Sequence, residues 1–427
     1  MKSLTFALCI SSLFLSITAV ILPKLAIAYL ALSAYVFLLY YQDKQRARNH
    51  GRRIPEAKLH LLNLLGGWPG GYCGSLAFRH KTSKPGFVRT FRLSAATNTA
   101  ATLLLLADTL KHSNQSGITM SFAFFFPGQG SQSLGMMNGF AEQAIVKATF
   151  DEASAVLGQD LWAMINGEDA ELIGQTVNTQ PIMLAAGIAT YRAYLEAGGK
   201  TPSVVAGHSL GEYTALVAAG ALDFADAVKL VRLRAELMQS AVPQGVGAMA
   251  AILGLEDEQV KAICAEAAQG EVVEAVNFNS PGQVVIAGNT AAVERAMAAS
   301  KEAGAKRALP LPVSVPSHCS LMKPAAEKLA EALKDITIKQ PQIRVIHNAD
   351  VASYDDADKI KDALVRQLYS PVRWTETVNT LVSEGITESA ECGPGKVLAG
   401  LAKRINKEAV CSALTNADQV AAFIEAH

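Results

Sequence analysis

The pentapeptide Gly207-His208-Ser209-Leu210-Gly211 is the part of this sequence best suited to covalent chemistry. A serine between two glycines, after a short apolar run and ahead of a helix-like stretch, fits a tight strand-to-helix turn that presents its hydroxyl to a cleft. Side chains at the glycine positions would clash in such a turn. The helix N-terminus behind the serine also aims amides and a positive dipole end at developing negative charge. A Gly-Ser turn into a helix also occurs for purely structural reasons, so the pentapeptide needs a partner. A serine hydroxyl is a poor nucleophile until a base takes its proton. Two histidines follow before the terminal His427: His318, in the loop Pro316-Ser317-His318-Cys319, and His347, after the strand-like Arg344–Ile346. The proline-punctuated loop favours His318 as an active-site edge, although either ring could be a satisfied polar residue. Cys319 beside it reads as packing, not as a second nucleophile.

These groups need a scaffold, and from Ser121 onward the pattern is α/β. Phe122 to Phe126 reads as a buried strand, Ser203 to Ala206 as another, and Leu210 to Ala219 as the helix behind the serine. Between about 247 and 313 the order changes to strand Ala248–Leu253, helix Asp257–Ala268, strands Val272–Asn277 and Gln283–Ala287, helix Ala291–Ala303 and strand Lys306–Pro310. That βαββαβ order is the ferredoxin-like split arrangement, expected here as an insert in the larger domain.

The 427 residues carry 38 Lys and Arg against 38 Asp and Glu, but unevenly. Residues 1–118 hold 14 basic residues against three acids, Asp43, Glu56 and Asp108, leaving 24 basic and 35 acidic residues in the remainder. The shift divides the chain into an N-terminal piece (1–111), a polar linker (112–119) and a main domain (120–427), for which Met120 could be an independent start. An apolar basic piece suits anionic lipid, whereas the acidic remainder argues against nucleic acid as a partner. The six cysteines form no C-x-x-C pair and no metal spacing with histidine, so neither a metal site nor a disulfide framework is expected.

The N-terminal piece contains uncharged apolar runs from Leu4 to Leu22 and from Leu25 to Tyr41, each near the ~20 residues that a spanning helix needs. A signal peptide ending at Ala26-Ile27-Ala28 is the rival reading, and the immediate second run favours a helical hairpin. The basic loop from Asp43 to Lys58 belongs on the cytoplasmic face. A third run, Leu59 to Phe78, is interrupted by Gly66-Gly67-Trp68-Pro69-Gly70-Gly71 and either spans or re-enters. A fourth, Leu93 to Leu110, follows a second basic loop. His60 and His80 read as interfacial anchors.

The ordered motifs Phe126-Pro127-Gly128-Gln129-Gly130-Ser131-Gln132, Gly207-His208-Ser209-Leu210-Gly211-Glu212, Val231-Arg232-Leu233-Arg234, Asn277-Phe278-Asn279-Ser280-Pro281-Gly282-Gln283 and Pro316-Ser317-His318 resemble those of malonyl-CoA:acyl-carrier-protein transacylases. The likeness runs from about Met120 to the C-terminus. It implies an α/β-hydrolase-like acyltransferase core that moves malonyl from malonyl-CoA to acyl carrier protein by a ping-pong serine ester, without cofactor or metal. It further implies Ser209 as nucleophile, His318 as base and then acid, and the Gln129 and Leu210 amides as oxyanion hole. Arg234 would grip the malonyl carboxylate, Gln367 would orient the histidine through its carbonyl, and Asn279 is a weaker pocket candidate. Without the likeness, Arg234 reads as a solvated helix charge and Asn279 as a turn residue. Two departures stand out: Cys392 in Glu391-Cys392-Gly393-Pro394-Gly395 replaces the family's Val, and Ser317 stands where many polyketide malonyl acyltransferases carry Phe. Malonyl preference then rests mainly on Arg234.

Asp43-Lys44, Arg53-Ile54-Pro55-Glu56, Gly66-Gly67, Gly70-Gly71 and Phe78-Arg79-His80-Lys81-Thr82 resemble a family of small bacterial membrane proteins of unknown function. That resemblance implies no chemistry. It places the full chain at the bacterial inner membrane, and a cytosolic donor and carrier require the main domain in the cytoplasm.

Overall fold

The strand Phe122–Phe126 is buried along its whole length, and its side chains alternate between two cores. Phe122, Phe124 and Phe126 join a large cluster with residues of the helices Ala144–Leu157 and Thr176–Glu196. Ala123 and Phe125 face a second cluster with Val204, Ala206, Ile346 and Trp374. A central parallel strand covered on both faces requires such an unbroken apolar run.

The computed structural model describes residues 4–21, 23–79, 81–115, 121–243, 245–313 and 315–427. It divides into two units, 1–119 and 120–427. The second unit contains the strands β1 Phe122–Phe126, β2 Val204–Gly207, β3 Gly247–Leu253, β4 Val273–Ser280, β5 Gln283–Asn289, β6 Arg307–Pro310, β7 Arg344–Ile346, β8 Glu388–Cys392 and β9 Val410–Leu414. Five of them form a parallel sheet in the order β7-β2-β1-β8-β9, with Phe124 opposite Val205 on one side and Ala390 on the other. The other four form an antiparallel sheet, β4-β5-β3-β6. The helices Asp257–Ala268 and Thr290–Glu302 share a core with that sheet, through Val260, Cys264, Val293 and Ala296 against Ile252, Val284 and Ile286. A reciprocal cap between Glu256 and Gln259 starts the first of them, a contribution of about 1 kcal/mol.

The first unit contains the helices Leu4–Ile21, Pro23–Arg48, Glu56–Leu62, Trp68–Ala77 and Pro85–Gln115. Inside the third apolar run the chain turns through a π-helical segment, Asn63–Gly67, with Gly66 at φ 115°. Among the described residues one helix, Lys24–Arg48, is long and apolar enough to cross a membrane, and Leu4–Ala19 is a shorter apolar helix. Large apolar side chains stand exposed along this unit, among them Leu13, Ile27, Leu30, Leu93 and Leu104. The Pro85–Gln115 helix also takes in residues 112–115, which the sequence assigns to the linker. Propagation adds one hydrogen bond per residue, and no glycine or proline intervenes before Gly117. His80, Ser116, Gly117 and the candidate start Met120 lie outside the described residues.

Candidate active site

Strand β2 ends at Gly207, and the helix Gly211–Ala218 begins four residues later, with Ser209 between them at φ 52°. Leu210, the expected first residue of the helix, is its N-cap with helical angles, φ −51° and ψ −37°, and the serine before it occupies the left-handed region. A non-glycine residue there costs about 1 kcal/mol or more and needs surroundings that hold it. The flanking glycines are sterically required. A Cβ on Gly207 would lie 1.8 Å from the Gly211 carbonyl carbon, and one on Gly211 would lie 2.0 Å from the Phe126 oxygen. Asn348, just after β7, clamps the turn: its Oδ1 accepts from the Ser209 amide at 2.7 Å and its Nδ2 donates to the Gly207 carbonyl at 2.7 Å.

The Ser209 hydroxyl lies 2.7 Å from His318 Nε2. His318 Nδ1 meets the Gln367 main-chain oxygen at 2.8 Å. A carbonyl oxygen only accepts, so Nδ1 carries the proton and Nε2 is left to accept from the serine. His318 also has a left-handed backbone, φ 66°, and its amide donates to the Leu368 carbonyl at 3.0 Å. Burial, reinforced by the nearby Arg234 guanidinium, pushes this imidazole down to about 3, so it is neutral at physiological pH. The other candidate base, His347, points elsewhere, with its Nδ1 2.7 Å from Glu212 Oε1. Cys319 is buried, its thiol donates to the Pro316 carbonyl at 3.1 Å, and burial pushes it up to about 12. That leaves it protonated and unsuited to attack.

Arg234 lies on Phe224–Ala241, the second helix after the serine, and this helix is capped by Asp223 through the amides of Ala225 and Asp226. Ala227, Val231 and Met238 bury one face, and Arg234 falls on it at 1 % exposure. The guanidinium donates to Gln180 Oε1 and to Gln367 Oε1, both at 2.9 Å, and its Nη2 is 3.3 Å from Ser209 Oγ. Its Nε is buried without a partner. No carboxylate among the described residues lies within ion-pair distance of it, and burial lowers its pKa, against the opposing pull of Tyr213 and of the more distant Glu212. A buried positive charge held by neutral amides is a costly arrangement that an incoming anion would relieve.

Gln129 and Asn279 are also brought to this region. The Gln129 side chain accepts from Thr176 Oγ1 at 2.7 Å, and the Gln129 and Leu210 amides have no hydrogen-bond partner among the described residues. Asn279, on β4, meets His208 Nε2 at 2.8 Å.

Four neighbours escape a reading of the sequence: Gln180, Glu212, His347 in its actual setting, and Asn348. Glu212, fully buried, accepts from His347 Nδ1, from the Asn348 amide at 2.9 Å and from Gln367 Nε2 at 2.9 Å. It is the only one with a local signal, an acid in the first turn of an otherwise apolar helix. Replacing Glu212 by alanine would strand three buried donors. We expect a loss of about 3 kcal/mol or more, read as a lower urea midpoint at unchanged slope.

The acyl transferase domain family matches residues 123–414, and a protein family of unknown function (DUF1294) matches residues 33–87. The malonyl CoA-acyl carrier protein transacylase of Escherichia coli (strain K12) is 57 % identical over 305 residues, 71 % of this chain and 99 % of that protein. Its counterpart in Haemophilus influenzae is 60 % identical over 286 residues, 66 % of this chain and 92 % of that protein. A crystal structure of acyl-carrier-protein S-malonyltransferase from Burkholderia pseudomallei, 58 % identical, superposes with a TM-score of 0.71 over 72 % of this chain and all of that one. A type II polyketide acyl-carrier protein in complex with its malonyl-transacylase gives 0.71 at 54 % identity, again over 72 % of this chain and all of that one. The chain therefore belongs to the malonyl-CoA:acyl-carrier-protein transacylase family of acyltransferases, here joined behind a segment of the family of unknown function.

Proposed function

We propose that residues 120–427 transfer malonyl from malonyl-CoA to the phosphopantetheine thiol of acyl carrier protein, through a malonyl ester on Ser209, and so supply fatty-acid synthesis. The observation that carries this reading is the convergence on one hydroxyl: Ser209 Oγ has His318 Nε2 at 2.7 Å and Arg234 Nη2 at 3.3 Å. The first supplies a base and the second a receptor for the substrate's free carboxylate.

In the first half, Ser209 Oγ attacks the thioester carbonyl carbon as its proton passes to His318 Nε2. The carbonyl electron pair moves to oxygen, facing the unpaired amides of Gln129 and Leu210. Collapse of this adduct breaks the C–S bond, and His318 returns the proton to sulfur, releasing CoA as the thiol. In the second half the phosphopantetheine thiol gives its proton to His318 and attacks the ester carbonyl, and Ser209 leaves as the hydroxyl. Protons and acyl group balance with no metal or cofactor in any step. Arg234 offers its fork to the malonyl carboxylate, which supplies the counter-charge that Gln180 and Gln367 lack. Gln367 acts through both ends, with its main-chain carbonyl on His318 and its side chain between Arg234, Glu212 and the Ser209 carbonyl.

In the same reading the parallel sheet with Ser209 at a strand end is a hydrolase-like core. The β4-β5-β3-β6 unit is a ferredoxin-like insert that lends Asn279 to the pocket wall. Residues 1–111 form an inner-membrane segment that keeps the enzyme on the cytoplasmic side, supported by the exposed apolar side chains and by the Lys24–Arg48 helix.

The distinguishing experiment follows CoA release from malonyl-CoA in the absence of carrier protein. A burst of about one equivalent followed by a plateau is expected, with turnover resuming on addition of holo-carrier. Steady release without carrier would mean that water is the acceptor and the enzyme a hydrolase.

A further inference from the structure

We propose that the N-terminal unit contains a specific binding site for an anionic lipid, an acyl chain with a negatively charged head, beside the helices Trp68–Ala77 and Pro85–Gln115. A cavity of about 290 Å³ lies there, walled by Trp68, Tyr72, Leu76, Phe87 and Phe91. A second hollow of about 370 Å³ shares Thr82, Val88 and Arg92 with it and adds Ser83 and Arg89. An aromatic slot thus runs into a region of hydroxyls and guanidinium groups. That sequence of surfaces matches a single molecule with an apolar tail and an anionic head.

A further observation points to such a ligand. The nearby acids are already taken: Asp43 pairs with Arg53 and Lys81, and Glu56 with Lys81 and Lys84. Arg89 and Arg92, both exposed, have no acidic partner among the described residues, which leaves their charge free for a phosphate or carboxylate. Trp68, only 6 % exposed, lines the cavity with its indole Nε1 buried and unpaired. Its N–H turns no open surface to the cavity, so what Trp68 contributes to the slot is its ring.

The inference rests on the membrane reading of residues 1–111, and the two are separable by experiment. Full-length protein in dodecyl maltoside micelles is titrated with brominated phosphatidylglycerol or brominated phosphatidylcholine. The fluorescence lost by the wild type but not by Trp68→Phe is followed. Saturable quenching at about tenfold lower mole fraction of the anionic lipid is expected. The Arg89→Gln/Arg92→Gln pair should abolish that preference. Ala95→Phe, which fills the cavity and leaves the charges in place, should remove the saturable component. Competition by stearate more strongly than by phosphatidylglycerol would identify a free fatty acid as the source of the anionic chain; the reverse would identify the bilayer. Equal quenching by both brominated lipids, or a preference that survives the arginine substitutions, overturns the site even if the protein sediments with membranes. Recovery of the full-length chain in the soluble fraction of lysed cells overturns the membrane reading itself.

Discussion

Substitution of His318 by alanine should lower kcat for malonyl transfer about a thousand- to ten-thousand-fold while the protein remains folded. The neutral imidazole is held at both nitrogens, by the Gln367 carbonyl on one side and the serine on the other. Without it the serine proton has no acceptor within hydrogen-bond reach. The pH dependence follows from the same setting. A histidine depressed to about 3 keeps its basic form down through pH 5, so kcat/KM should show no acid limb near the ordinary value of ~6.5. Activity should fall only as pH descends toward 3. An inflection between pH 6 and 7 that vanished in His318→Ala would mean that the base is far more hydrated than this packing allows.

Arg234→Ala should lower kcat/KM for malonyl-CoA about a hundredfold, with acetyl-CoA affected far less. A carboxylate held by two guanidinium N–H groups contributes most where water is excluded, and Arg234 is among the most deeply buried side chains in the chain. Arg234→Lys keeps the charge but loses the fork that also reaches Gln180 and Gln367, so it should recover only part of the malonyl activity. Parallel assays with both donors check this, and an equal loss on malonyl- and acetyl-CoA would reduce Arg234 to a structural role.

How much of this is legible in the sequence depends on how local each feature is. The serine turn is written in five consecutive residues, whose glycines are dictated by the 1.8 and 2.0 Å that an added Cβ would leave to neighbouring backbone atoms. Strand β1 is also legible, because five apolar residues in a row ending in Pro-Gly suit a short strand covered on both faces. The Arg234 position carries a weaker signal. It shares a helical face with Ala227, Val231 and Met238, where a solvated charge would not be expected, yet from composition alone it reads as surface. Gln180 and Asn348 come from separate segments, and only folding makes them neighbours of Arg234 and of Ser209. Nothing in the spacing reveals that Glu212 binds His347 and not His318. Gln367 enters through resemblance, since a main-chain carbonyl leaves no trace in residue type. In the N-terminal unit the turn at Gly66 is legible from the glycine cluster. The end of the last helix is not, because residues 112–115 are polar but contain no helix breaker.

The most direct test is the intact mass of the purified protein after brief exposure to malonyl-CoA, wild type beside Ser209→Ala. A single malonyl adduct on the wild type, absent from Ser209→Ala and removed by holo-acyl carrier protein, is the expected result. An adduct that persists in Ser209→Ala, or no adduct on the wild type while transfer to the carrier proceeds, would contradict a serine-ester intermediate.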